Sequence, residues 1–361
     1  MSEVIKKMKS IGEMVYKKIM KQDPPELEMP LRDLSNVRYD EKEGFFDMIG
    51  KTKSRTLTAS TIKTFAQTLK MMGLSKKLVE TNDIATKRDA YYQSKGAWGA
   101  AAFVEQEESD AIMDDIEAMV GFNREQIGFI PDEDGSAVAG NLTIIDTDPE
   151  TGEKIRIDCA KMGTGGYGIP PNVEHFKFET SAKFILAIET AGMFQRLNYH
   201  KFWRKHNCII ISLKGVPSRA TRRFIRRLAD DKKIPVYVFC DGDFYAYASI
   251  YRTLKVGSGN AAHINKFFCV PQAKFIGVTP QDIIDYKLPT HPLKDVDIKK
   301  AKDVLKNDPF FKSHKEWQKA IEMMLKMGKR VEQQAFASHS LNYVMDEYLP
   351  KKLKDQKTWL P

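Results

Sequence analysis

Between residues 183 and 278, short continuous apolar runs alternate with amphipathic helical patterns, and no other feature constrains the fold as tightly. KFILAIE, NCIIISLKG, PVYVFCDGD and AKFIGVT read as strands, while AGMFQRLNYHKFWRKH, PSRATRRFIRRLADD and DFYAYASIYRTLK read as the helices between them. A strand that is apolar on both faces has to be covered on both faces. Strand, crossover helix, strand therefore predicts a mostly parallel sheet flanked by helices. In such a sheet, ligands bind beyond the carboxyl ends of the strands.

The residues at those ends are acidic. Glu189 directly follows the first strand, and Asp241 and Asp243 directly follow the third. Three carboxylates on one rim repel one another strongly unless a cation neutralises them. Hard oxygen donors in that number suit Mg²⁺. A simpler reading stands beside this one: DGD is a turn into a helix, with Asp243 as the cap. The helix of residues 217–229 carries Arg219, Arg222, Arg223 and Arg226 on one face and Ala220, Phe224, Ile225 and Leu228 on the other. An arginine stripe can follow a nucleic-acid backbone, although it is also the ordinary solvated face of an amphipathic helix.

At 361 residues the chain is long for one domain. Residues 1–58 read as an irregular arm with one short helix, Ile11 to Met20. In residues 59–160, Ile62, Phe65, Leu69 and Met72 recur at helical spacing, with Gly73 placed to end the helix. A short segment, SKKLVE, follows, and Asp83 is the expected N-cap of a helix through IATKRDAYYQSK. Helix, turn and basic helix outline a helix-turn-helix unit. AVAGNLTIID and EKIRIDCA would supply the hairpin wing of a winged-helix domain. Residues 161–182 are rich in Gly and Pro; they lack the ending of a phosphate-binding loop and read as a linker. Residues 183–361 comprise the parallel α/β unit and a lysine-rich helical extension. The expected fold class is thus α/β and multidomain.

The pair Tyr91–Tyr92 lies on the basic helix. Arg88 and Tyr92 are one turn apart on one face, with Lys95 three residues on. Tyr91 is rotated by about 100° from Tyr92, toward Ile84, and reads as packing. A free phenol has a pKa near 10 and is a poor nucleophile unless a cation stabilises it. If one of the two attacks, geometry favours Tyr92.

The charge balance fits an acidic partner: 57 Lys+Arg against 48 Asp+Glu gives a net charge of +9. Cys159, Cys208, Cys240 and Cys269 are widely spaced, with no C-x-x-C pair, which argues against a structural zinc site or a disulfide scaffold. No apolar run is long enough for a bilayer helix, and MSEVIKKMKS lacks the apolar stretch of a signal peptide, so an intracellular protein is expected.

Taken in order, RDAYY on a helix-turn-helix, FILAIE, SLKGVPSRATRRFIRRL, VYVFCDGD and the C-terminal VEQQAFASHSLNYVMDEYLP resemble the family shared by the meiotic double-strand-break transesterase and the DNA topoisomerase VI A subunit. The likeness spans roughly residues 30–350. It implies a TOPRIM-like sheet, type IIB topoisomerase chemistry and a DNA-associated protein of the cytoplasm or nucleoid. Tyr92 would attack a phosphodiester to leave a 5′-phosphotyrosyl link, and Arg88 would assist. Glu189, Asp241 and Asp243 would bind Mg²⁺, and Lys95, Lys214, Arg219, Arg222 and Arg223 would contact double-stranded DNA. It also implies a homodimer in which the tyrosine of one protomer works with the metal of its mate. Because the sequence has no ATPase motif, an ATP-binding B subunit in an A2B2 assembly would drive strand passage. Small Ala90 stands where a larger apolar side chain is expected. Two alternatives share the motifs: a break-maker that does not reseal, and a TOPRIM-type Mg²⁺ nuclease or primase-like enzyme with structural tyrosines. A winged-helix DNA-binding protein with an inert acidic rim is a third.

Overall fold

The computed structural model describes residues 2–361. The chain forms two compact units. The first gathers the residues up to Asp40, Phe46–Glu133 and Ser258–Phe267; the second gathers Glu41–Phe45, Asp134–Gly257 and Phe268–Pro361.

The first unit is mainly helical. Its opening helix spans Glu3–Met20, so helix formation begins well before Ile11. Ser2 caps it by accepting a hydrogen bond from the Ile5 N–H, and Val4, Ile5, Met8, Ile11 and Val15 bury one stripe. Strands Glu26–Pro30 and Thr52–Thr56 pair antiparallel. The next helix runs uninterrupted over Ile62–Thr81, so Gly73 is interior and not a terminator. Its buried stripe continues past Gly73 through Ser75 to Leu78, and tertiary packing outweighs the local cost of one glycine. Asn82, in the left-handed conformation, ends it.

The helix bearing the tyrosines spans Lys87–Ala97, and its N-cap is Thr86 rather than Asp83. Ala85 and Thr86 pair in parallel with Phe129 and Ile130, which keeps the chain extended until Thr86. There Thr86 and Asp89 close a reciprocal capping box. A fourth helix, Gln106–Val120, ends at Gly121 with φ +75°, where a glycine carries no steric penalty. Met71, Met113, Ile116, Ile127 and Phe129 are fully buried in the core of this unit.

The second unit is built on a six-stranded sheet in the order Tyr167–Gly168, Ala137–Gly140, Ile209–Ser212, Ile185–Ile188, Val236–Phe239, Lys274–Gly277. The last four strands are mutually parallel, as their apolar runs predict. Ile185–Ile188 and Ile209–Ser212 are buried at every position. Ala137–Gly140, expected in a wing, instead pairs antiparallel with Ile209–Ser212. Thr143–Thr147 and Lys154–Asp158 do form a hairpin, joined by Lys177–Glu179 into a three-stranded sheet. The helix after the first parallel strand is broken into Ala191–Tyr199 and Phe202–His206, with Lys201 left-handed between them. No helix among the described residues is long and apolar enough to cross a membrane.

Salt bridges stiffen the first unit. Asp115, 4% exposed, accepts from Arg32 Nε at 3.0 Å and from Arg55 Nη2 at 2.8 Å, tying the chain around the first strand pair to the helix Gln106–Val120. Removing one member of a buried ion network leaves its partners uncompensated. Asp115→Ala is therefore expected to lower unfolding free energy by about 3 kcal/mol in urea titrations, whereas truncating the exposed Glu80 should leave it within about 0.5 kcal/mol.

Candidate active site

The central strand of the parallel set, Ile185–Ile188, has Ile209–Ser212 on one side and Val236–Phe239 on the other. The chain leaves it in one direction and later returns to its opposite edge, so the carboxyl end of this strand is a topological switch point, where a crevice opens. Glu189 stands at that end, and Asp241 and Asp243 follow the neighbouring strand. The fold thus brings these three sequence-predicted carboxylates to one rim.

Backbone amides aim each of them. The Asp241 N–H donates to Glu189 Oε2 at 2.8 Å, the Gln333 N–H to Asp241 Oδ1 at 2.8 Å, and the Ala246 N–H to Asp243 Oδ1 at 2.7 Å. The second oxygens of Asp241 and Asp243 accept no hydrogen bond among the described residues. Asp243 therefore does cap the following helix, and the capping and rim readings of DGD coexist. Gly242 forms an antiparallel bridge with Val331, with N–O distances of 2.8 and 3.1 Å. A Cβ on Gly242 would meet Val331 Cγ1 at 2.5 Å, so only glycine admits this approach. Across that bridge Arg330 flanks Asp243 and Glu332 flanks Asp241.

The electrostatics match the geometry. Burial, with the negative charges of Asp241 and Asp243, pushes the Glu189 carboxyl up to about 8, and Glu189 is 8% exposed. Burial also raises Asp241 to about 6; Asp243 and Glu332 add to this, while the Gln333 N–H and Arg330 oppose it. Asp243 is raised by burial as well, against the Ala246 N–H and Arg330. Burial and mutual repulsion make these carboxyls resist ionising on their own, and a hard cation among their oxygens would favour the charged form. The donor set fits a divalent metal ion, though the three carboxylates are not drawn into one 4.8 Å cluster.

The other predicted residues are distributed as follows. Tyr92 and Arg88 belong to the first unit. Tyr91 is tied down: its hydroxyl donates to the Val104 carbonyl at 3.0 Å, although Ile84 lies before the helix and is not its neighbour on a face. Tyr92 meets Tyr91 edge-on at 5.2 Å and is 65% exposed. Arg88 is exposed and makes no hydrogen bond or ion pair among the described residues. Ala90 is fully buried, so its small side chain is a close-packing feature. Lys95 donates to the Val104 carbonyl at 3.0 Å and lies 5.1 Å from the Tyr91 ring.

Lys214 is exposed and left-handed, φ +54°, and the next N–H, that of Gly215, donates to the Glu189 carbonyl at 3.1 Å. The helix expected at residues 217–229 spans Arg219–Lys232, with Ala220, Phe224, Ile225 and Leu228 buried as predicted. On its other face the Arg219 and Arg222 guanidinium groups lie 4.5 and 5.5 Å from the Phe268 ring, and Arg223 pairs with Glu174 at 2.8 Å.

Sequence reasoning gave no role to Gln333, Thr190, Arg330 or Glu332 at the rim. The segment VEQQAF was visible in the sequence, but its antiparallel placement against DGD was not. A different set of potential metal ligands among the described residues does come within 4.8 Å: Asp114, Glu117 and His263 of the first unit. Asp114 and Glu117 both accept from Arg124 Nη2, at 2.6 and 3.2 Å, which makes this set part of an ion-pair network.

Comparison with known proteins resolves the family. Residues 184–353 match the Toprim domain shared by Spo11 and the topoisomerase 6 A subunit. Residues 132–182 match the all-beta domain of the DNA topoisomerase VI alpha chain, and residues 63–129 the family described as type IIB DNA topoisomerase. The chain is 55% identical to the type 2 DNA topoisomerase 6 A subunit of Methanocaldococcus jannaschii, over 98% of this chain and 95% of that protein. The proteins of the same name from Methanothermobacter thermautotrophicus and Archaeoglobus fulgidus are 38% and 39% identical, with coverage of 97% and 94% of both chains. The chain belongs to the family of type 2 DNA topoisomerase 6 A subunits. It is the DNA-cleaving subunit of a type IIB topoisomerase, an isomerase, and its Toprim domain implies divalent-metal binding.

The raised Glu189 carboxyl has a consequence for stability. With a folded value of about 8 against an ordinary 4.5, the folded chain keeps a proton that the unfolded chain has lost. Its contribution is complete below the ordinary value and is lost as pH rises through the folded one. In the presence of chelator, unfolding free energy should fall by on the order of 3 kcal/mol between about pH 5 and pH 9. Urea unfolding of Glu189→Gln should show this decline flattened; an unchanged decline would assign it to other groups.

Proposed function

We propose that Tyr92 is the nucleophile of this topoisomerase chain and that Arg88, one helical turn away, binds the phosphate it attacks. The observation that carries this reading is the contrast between neighbours: the Tyr91 hydroxyl is held by the Val104 carbonyl, whereas Tyr92 is 65% exposed on a firmly capped helix. The Tyr92 oxygen forms a bond to phosphorus while the bond to the 3′ oxygen breaks, and that oxygen leaves with a proton as a 3′-hydroxyl. The product is a 5′-phosphotyrosyl link, and resealing is the same exchange run backward. Arg88 supplies a fixed positive charge for the phenolate and for the phosphate in the transition state.

Glu189, Asp241 and Asp243 are the residues proposed to hold Mg²⁺. When bound there, the ion supplies a Lewis acid for phosphate oxygens. The chain contributes the preset carboxylates and the backbone N–H groups that aim them. Lys214, beside the Glu189 backbone, together with Arg219 and Arg222, is proposed to meet the DNA backbone. Arg223 and Lys95 would do so only after giving up the Glu174 and Val104 contacts.

The helices of residues 59–160 are proposed to act as the winged-helix cleavage domain and residues 183–361 as the metal-binding domain. Two copies of the chain, each making one cut, would produce a staggered double-strand break. An ATP-binding B subunit, in an A2B2 complex working on DNA in the nucleoid, would couple the break to strand passage. The residues up to 58 are the proposed contact with it.

A denaturing trap tests the assignment. Incubating the protein and its ATP-binding partner with duplex DNA, Mg²⁺ and ATP, then denaturing, should leave DNA ends covalently attached to a peptide containing Tyr92. Tyr92→Phe should reduce cleavage by at least ~10³-fold, in keeping with loss of a covalent nucleophile, and chelation should abolish it. An adduct on Tyr91, or cleavage that survives in Tyr92→Phe, would refute the proposal; the latter would mark a metal-dependent nuclease.

A further inference from the structure

Gln333 is fully buried at the rim and touches three different pieces of it. Its backbone N–H donates to Asp241 Oδ1 at 2.8 Å. Its side-chain Nε2 donates to the Phe239 carbonyl at 2.9 Å, and its Oε1 accepts from the Thr190 hydroxyl at 3.0 Å. Phe239 ends the strand that leads to Asp241, and its carbonyl also accepts the Glu189 N–H at 3.0 Å. Thr190 follows Glu189 and caps helix Ala191–Tyr199, accepting from the Met193 N–H at 3.3 Å. One neutral amide thus bridges the ends of the two strands that carry Glu189 and Asp241.

The chemistry of this side chain suits the place. A lysine or arginine here would fix the strands but would also cancel the charge that a cation needs. An apolar residue would leave the Thr190 hydroxyl without this acceptor and the Phe239 carbonyl with one bond fewer. Glutamine offers one donor and one acceptor with no net charge. The side chain therefore restrains the strand ends, beside the residue's own backbone N–H on Asp241, without adding positive charge to the rim.

We propose that Gln333 is a positioning residue for the metal site, setting the separation and orientation of Glu189 and Asp241. The inference rests on reading Glu189, Asp241 and Asp243 as the cation site. The ligand class is a hard divalent cation, and Gln333 acts on it through the carboxylates. Outer-shell hydrogen-bonding partners of metal ligands typically govern about 10–100-fold in affinity.

The test uses Mn²⁺ as probe, with binding to the intact chain measured by calorimetry and electron paramagnetic resonance, without DNA or turnover. Gln333→Met keeps the length and loses both amide hydrogen bonds; it should weaken Mn²⁺ binding at least ~10-fold while the melting temperature in chelator falls only modestly. Thr190→Val, which removes the hydroxyl that orients the amide, should weaken binding toward the lower end of that range, about 10-fold, and serves if Gln333→Met fails to fold. Asp241→Asn is the control. If Asp241→Asn binds Mn²⁺ as the wild type does, the cation-site reading itself fails. If Asp241→Asn loses binding while folded Gln333→Met and Thr190→Val stay within about twofold of wild type, the positioning role alone is overturned.

Discussion

The second unit is organised around a problem of charge: three carboxylates stand at one end of a parallel sheet, partly or wholly withdrawn from water. Such groups are costly to ionise together. The strand order creates the arrangement, because Glu189 ends the central strand and Asp241 follows its neighbour. What surrounds them mitigates the cost without removing it. Each carboxylate accepts one backbone N–H, and Arg330 stands across the Gly242–Val331 bridge from Asp243. The result is a rim that stays short of positive charge, and a divalent cation is the natural completion. Gly242 is part of the same solution, since the bridging segment approaches too closely for any Cβ.

The first unit treats its two adjacent phenols differently, bonding one and exposing the other. The capping box at Thr86 and Asp89 fixes where the helix begins, and this sets the direction in which Tyr91 and Tyr92 point. Tyr91 donates to the Val104 carbonyl, Ala90 is fully buried, and Lys95 lies over the Tyr91 ring. Tyr92 and Arg88 remain on the exposed face. The proposed attack by Tyr92 needs a nearby cation at neutral pH, and Arg88 stands one helical turn away.

The continuous apolar strands were legible in the sequence because a buried parallel strand needs an apolar side chain on both faces. Glu189, Asp241 and Asp243 were legible for the same reason, standing where those runs stop. The contrast between Tyr91 and Tyr92 could be read from the helical period, although the neighbour first assigned to Tyr91, Ile84, lies before the helix. What failed depended on pairing between distant residues. Thr86 became the cap because Ala85 and Thr86 pair with Phe129 and Ile130, more than forty positions on. Ala137–Gly140 entered the main sheet through Ile209–Ser212. Gln333 reaches Asp241 across 92 positions, and no local pattern announces such a contact. Gly73 failed differently, since glycine is a helix terminator only where the buried stripe also stops.

The central proposal is that the acidic rim is a cation site whose protons leave as the cation enters. Calorimetric titration of Mn²⁺ into the chain, in buffers of different ionisation enthalpy, tests it directly. With Glu189 near 8, binding at about pH 7 should release close to one proton, and at about pH 9 almost none. Binding with no proton release at either pH, or no binding at all, would contradict the account.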